Sequence, residues 1–89
     1  MKLKDQMILS SVGGEPILVS AGTEKDDFHG VIKLNKSGAF LAECLKEGAD
    51  EEELLRKLKT RFEGDEEQMR KDIRMLLDRF AELNLLEET

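Results

Sequence analysis

The spacing of the apolar residues changes at Asn35, and this change restricts the folds that the chain can adopt. Before Asn35 the apolar residues form short runs that are rich in β-branched side chains, namely Met7-Ile8-Leu9, Ile17-Leu18-Val19 and Val31-Ile32. After Asn35 they recur every three or four residues, as on one face of a helix. The sequence therefore predicts strands followed by helices, which is the α+β class.

The glycine pair Gly13-Gly14 separates the first two apolar runs. Two adjacent glycines supply the positive φ angles of a tight hairpin turn, so the first two strands should pair antiparallel. Strands are expected over Met7–Val12, Ile17–Ser20 and Gly30–Leu34. Three short strands do not form a stable sheet alone, so helices should cover one face.

Three helices are predicted in the remainder of the chain, over Ser37–Glu47, Glu51–Phe62 and Glu66–Leu83. A side chain of the N-cap type precedes each of them: Asn35, Asp50 and Asp65. The element order is thus βββααα. A chain of 89 residues has room for one hydrophobic core, so we expect a single domain over residues 1–89.

Composition excludes several classes of function. The formal net charge is −6, from 14 Lys and Arg against 20 Asp and Glu, and an acidic surface repels the phosphates of nucleic acids. One cysteine cannot form an intrachain disulfide, and the N-terminal residues lack the apolar stretch of a signal peptide. No apolar run is long enough to span a bilayer. We therefore expect a cytoplasmic protein without membrane or nucleic-acid partners.

An enzyme is not expected, because the sequence has no catalytic, phosphate-binding or metal-binding motif. The single histidine, His29, stands beside Gly30 and is interpreted as a solvent-facing residue at the start of a strand. Cys44 lies among apolar residues of the first predicted helix and is interpreted as a buried structural cysteine. No catalytic residue, metal or cofactor is therefore predicted.

The third predicted helix carries four basic residues, Arg70, Lys71, Arg74 and Arg79. A basic helix beside a small sheet is typical of winged-helix proteins, so a DNA-binding regulator is the alternative function. Carboxylates alternate with these basic residues along the helix, however, and the whole chain is acidic. Both observations favour a solvated helix face over DNA contact.

Two features favour peptide binding instead. A small sheet with one helical layer has free strand edges, and a free edge can accept an extended peptide as an added strand. Met75 lies off the apolar stripe of the third predicted helix, and an exposed methionine is suited to an adaptable binding surface. Free edges also permit strand exchange between copies, so we expect a monomer or a strand-swapped dimer.

The segment from Phe28 to Leu41 resembles the signature of the PqqD-like proteins, also called RiPP recognition elements. The resemblance rests on an aromatic residue, Gly30, two aliphatic residues and the sequence Leu34-Asn35, followed by Ser37-Gly38-Ala39. The acidic start of the second predicted helix and the closing Leu83-Asn84-Leu85-Leu86 also fit the family pattern. The likeness extends over nearly all of the chain from Met7 onward.

The resemblance implies a winged-helix-like fold and a non-catalytic peptide chaperone. Such proteins bind the leader of a ribosomally made precursor peptide and present it to a modifying enzyme, often a radical SAM enzyme. Both pyrroloquinoline quinone (PQQ) and unrelated peptide products remain open. In the family the leader adds to the third strand and faces the third helix, which implies a site here at Gly30, Val31, Ile32, Lys33, Asp72, Met75 and Arg79.

Overall fold

The computed structural model of the protein describes residues 1–20 and 30–87. In chain order its elements are β1 (Lys2–Leu3), β2 (Met7–Val12), β3 (Glu15–Ser20), β4 (Val31–Lys33), α1 (Lys36–Glu47), α2 (Glu51–Arg61), α3 (Glu66–Glu82) and β5 (Leu86–Glu87). The α+β class, the three-stranded antiparallel sheet and the three helices that follow it are confirmed. β3 begins two residues earlier than predicted because it pairs with β2 right up to the turn.

The hairpin turn has the predicted form. Gly13 and Gly14 have φ angles of 59° and 84°, and the register places Val12 opposite Glu15. Positive φ at both central residues is the requirement of a type I′ turn, which glycine meets without steric cost.

The sheet has the strand order β2-β3-β4, and one of its faces covers the helices. Leu9, Leu18 and Ile32 are cross-strand neighbours in one row, and all three pack on the core formed with the helices. Leu18 is fully buried and Ile32 nearly so. Among the described residues β4 has a neighbouring strand on one side only.

Two of the three predicted helix caps are confirmed. The backbone N–H of Gly38 donates to Asn35 Oδ1 at 2.7 Å, and that of Glu53 donates to Asp50 Oδ1 at 2.8 Å. Asp65 is the N-cap residue of α3, as predicted, but its side chain makes no cap hydrogen bond. Asp65 still stands where a negative charge is favourable against the helix dipole.

A small sheet that sequence reasoning missed joins the two ends of the described chain. β1 pairs antiparallel with β5, with Leu3 opposite Leu86. The backbone N–H of Lys4 donates to the carbonyl of Leu85 at 2.9 Å, and Ala49 N–H donates to the carbonyl of Met1 at 2.8 Å. Leu3 is fully buried in the core, so this pairing closes the core beneath the helices.

Cys44 belongs to the same core, which confirms its interpretation as a buried cysteine. Burial raises the pKa of its thiol, because the surrounding apolar side chains disfavour the thiolate. Within residues 1–20 and 30–87, the structure contains no helix that is long and apolar enough to cross a membrane.

Candidate functional site

Within residues 1–20 and 30–87, the outer edge of β4 has no neighbouring strand. Ile32 lies opposite Leu18 of β3, and the N–H of Leu34 donates to the carbonyl of Pro16 at 3.0 Å. Hydrogen-bonded and non-bonded pairs alternate along an antiparallel ladder, so the N–H and C=O of Ile32 also point toward β3. It follows that the N–H and C=O groups of Val31 and Lys33 point away from β3, toward the open edge.

A groove of about 510 Å³ lies beside this edge. One wall is formed by residues 31–35, the end is closed by Gly38 of α1, and the opposite wall is formed by Leu76, Arg79 and Phe80 of α3. Ile32 and Phe80 are buried in the core, whereas Leu76 is only partly buried. The groove therefore combines an apolar wall with a line of free main-chain donors and acceptors.

The motif Asn35-Lys36-Ser37-Gly38 shapes the closed end of the groove. The Asn35 Oδ1 atom accepts the N–H of Gly38 and also the hydroxyl of Ser37, the latter at 3.1 Å. A Cβ atom at Gly38 would lie 2.9 Å from that same oxygen, which is closer than two such atoms can approach. A side chain at this position would displace the Asn35 carboxamide from where it stands, and its absence leaves space at the closed end of the groove.

The structure brings four of the predicted site residues to the groove: Val31, Ile32, Lys33 and Arg79. Gly30 is exposed immediately before β4. Met75 is 70% exposed but does not line the groove, because it lies about 100° around α3 from Leu76, on the far side of Arg79. Asp72 also lies outside the lining, and its carboxylate accepts a hydrogen bond from Gln68 Nε2 at 2.9 Å.

Five residues of the groove lining were not among the predicted site residues: Leu34, Asn35, Gly38, Leu76 and Phe80. Leu76 is the partly exposed one of the two that α3 contributes. Its spacing placed it in the apolar stripe of α3 with Ile73 and Phe80, and it does pack against the core. It is nevertheless only partly buried, beside the short strand β4. The sequence carries no signal for this, since periodicity gives an angle around the helix but not the extent of the neighbouring strand.

The basic residues in the first half of α3 are paired with carboxylates of α2. Arg70 contacts Glu52 at 2.9 Å and Arg74 contacts Glu51 at 2.8 Å. A further pair joins Lys59 of α2 to Glu66 of α3 at 2.7 Å, and this hydrogen bond lowers the pKa of Glu66. These pairs interrupt any continuous positive surface on the described part of α3, so the DNA-binding alternative gains no support from the fold.

Nor does the described part of the chain offer a reactive site. No group of three or more metal-ligating side chains is found in residues 1–20 and 30–87. Cys44 is buried in the core. His29, which is interpreted as a solvent-facing residue at the start of a strand, lies outside the described residues.

Comparison with known proteins gives two structural relatives and one family. A search of curated proteins finds no match. The fold is similar to the structure described as TbiB1 in complex with the TbiA(beta) leader peptide, with a TM-score of 0.76 and 24% identity over 100% of this chain and 98% of that one. It is also similar to lasso peptide synthetase B1 complexed with the leader peptide, with a TM-score of 0.70 and 15% identity over 94% and 93% of the two chains.

The family comparison covers most of the chain. Residues 15–86 match the family described as coenzyme PQQ synthesis protein D, PqqD. The matched region includes β3, β4, all three helices and the whole lining of the groove. The chain is a member of the PqqD family.

Proposed function

We propose that the protein is a non-catalytic peptide chaperone that binds the leader of a ribosomally made precursor peptide and presents it to a modifying enzyme. The observation that carries this proposal is the free edge of β4 beside a groove lined in part by the apolar side chains of Ile32, Leu76 and Phe80. Both structural relatives are complexes with leader peptides, which supports the same class of ligand here.

The mode of binding follows from the edge. An extended peptide adds to β4 through main-chain hydrogen bonds with Val31 and Lys33, whose donors and acceptors face outward. Side chains alternate across a strand, so every second side chain of the peptide enters the groove and packs on Ile32 and Leu76. The leader is disordered before binding, so its ordering costs about 2–5 kcal/mol of the gross interaction energy.

A modifying enzyme receives the bound peptide. The family description supports an enzyme of peptide-derived cofactor synthesis, and the family resemblance supports a radical SAM enzyme. The product is PQQ or another modified peptide. Gly30, Asp72 and Met75 flank the groove and are proposed to contact the parts of the leader that extend beyond it.

The test is an amide NMR titration of the protein with a synthetic leader from the precursor encoded beside its gene. Shifts should concentrate on Gly30–Leu34 and on Asp72–Phe80. Shifts confined to other surfaces would show that the peptide does not use this edge. A duplex DNA titration at low salt distinguishes the alternative function, because a DNA reader would bind strongly there and weaken steeply with added salt.

A matched pair of variants isolates the main-chain contact. Lys33→Pro removes a free N–H at the edge, where proline is tolerated, and Lys33→Ala removes the same charge but retains that N–H. The proline variant should bind the leader more weakly than the alanine variant by about 0.5–1.5 kcal/mol, the net value of one hydrogen bond. Equal affinities would refute strand addition at Lys33. Ile32→Pro is not a suitable test, since the Ile32 N–H faces β3.

A further inference from the structure

We infer that the site selects acidic peptides. Lys33 binds a carboxylate on one face of the added peptide strand, and Arg79 binds a second carboxylate on the opposite face. This inference rests on the proposed function and adds the chemistry of the ligand to it. Its basis is the pair of cations, Lys33 and Arg79, beside the β4 edge, whose charge is opposite in sign to the net charge of the chain.

Among the described residues, the groove lining contains two cationic residues, Lys33 and Arg79, and no carboxylate. Within the described residues, neither cation takes part in an ion pair, whereas the other arginines of α3 both do. The chain as a whole carries a formal charge of −6, so the charges of Lys33 and Arg79 beside the β4 edge are opposite in sign to its net charge. Cations on both sides of a bound strand attract an anionic peptide and repel a basic one.

The two cations belong to different faces of the sheet. In β4, Ile32 is buried toward the helices, so the neighbouring side chains Val31 and Lys33 lie on the outer face. Arg79 reaches the groove from α3, which lies on the helix-covered face. A peptide strand added to β4 continues this alternation, so one of its outer side chains stands across from Lys33 and one of its inner side chains meets Arg79.

This geometry makes a specific prediction about peptide sequence. Residues on opposite faces of a strand are separated by an odd number of positions, since the side-chain period is two. The carboxylate that meets Lys33 and the one that meets Arg79 must therefore be an odd number of residues apart. The apolar peptide residue that packs on Ile32 and Leu76 lies on the same face as the carboxylate that meets Arg79. These two peptide residues are therefore an even number of positions apart.

The experiment is selection from a random library of displayed dodecapeptides, with NMR used to retain only those peptides that shift the amides of Val31–Leu34. Wild-type protein should enrich Asp or Glu at two positions an odd number of residues apart. Lys33→Gln should abolish the enrichment at one position, and Arg79→Gln at the other. Lys71→Gln, an exposed residue of α3 outside the groove, should leave both unchanged.

For a single selected peptide, each groove substitution should weaken binding by about two- to fivefold, the range of a partly exposed ion pair. Groove-bound peptides without acidic enrichment, with enrichment at an even separation, or with enrichment that survives both substitutions would overturn the inference but leave the proposed function intact. If no selected peptide shifts the β4 amides, the proposed function fails, and the inference fails with it.

Discussion

Replacing Leu3 with alanine tests whether the pairing of β1 with β5 belongs to the cooperative fold. Leu3 is fully buried and packs in the single core cluster with residues of the sheet and of all three helices. Truncation of a buried leucine to alanine costs about 2–5 kcal/mol, from lost burial and from the cavity that remains. β1 has only two residues and can shift to fill part of that cavity, so we expect about 2–3 kcal/mol.

Urea denaturation followed by circular dichroism measures this loss. A chain of this length has a total stability of roughly 4–13 kcal/mol, so the loss is a large share of it. With a urea m-value of roughly 1 kcal/mol per M, the midpoint should fall by about 2–3 M. The control is Ile8→Ala, since Ile8 is 46% exposed on the outer face of the sheet and should shift the midpoint by less than about 1 M. Equal midpoints for the two variants would show that β1 is not part of the folding unit.

Three further predictions concern single residues. Asn35→Ala should destabilise the fold by about 1 kcal/mol in thermal denaturation, because it removes the cap of α1, and Gly38→Ala should cost less, because the new Cβ displaces only the movable Asn35 Oδ1 and alanine favours the helix. A larger loss for Gly38→Ala than for Asn35→Ala would contradict this order. Met75→Asp should weaken leader binding by about 1–3 kcal/mol, because it places a charge in an apolar contact, and it should leave the melting temperature unchanged, because Met75 is exposed. Met75→Leu should bind normally, and full affinity of the aspartate variant would show that Met75 does not contact the leader. Burial raises the pKa of the Cys44 thiol in the folded protein, so the thiol of the unfolded chain ionises first as the pH rises. The free energy of unfolding should therefore decline above roughly pH 8.5, and Cys44→Ala should lessen that decline; identical profiles of unfolding free energy against pH for the two proteins would contradict this.

Local chemistry accounts for the parts of the fold that the sequence predicts. Gly13-Gly14 requires a turn whatever the rest of the chain does, and the caps at Asn35 and Asp50 are completed within three residues. β1 and β5 have no such local signal. Each has two residues, too few to show a period, and they form strands only because Leu3 and Leu86 are brought together by the core.

The same distinction separates the residues of the site. Residues 31–33 could be placed at an edge because a third strand after a hairpin has one neighbour. Which backbone groups face outward depends on register, and register depends on the pairing of Ile32 with Leu18. The contributions of α3 depend on how that helix is rotated against β4, so Met75 was favoured over Leu76 although only Leu76 lines the groove.

In the proposed strand addition, the shortness of β4 limits how long a peptide stays bound. Within β4 as described, Val31 and Lys33 are the residues that face outward, so the edge offers about four main-chain hydrogen bonds, worth roughly 2–6 kcal/mol together. That is comparable with the ordering cost of a disordered segment, roughly 2–5 kcal/mol. The backbone thus aligns the peptide with little net gain, and the lifetime of the complex depends on the few side chains that enter the groove. A protein with such an edge should release its peptide readily, as the proposed transfer of the leader to a modifying enzyme requires.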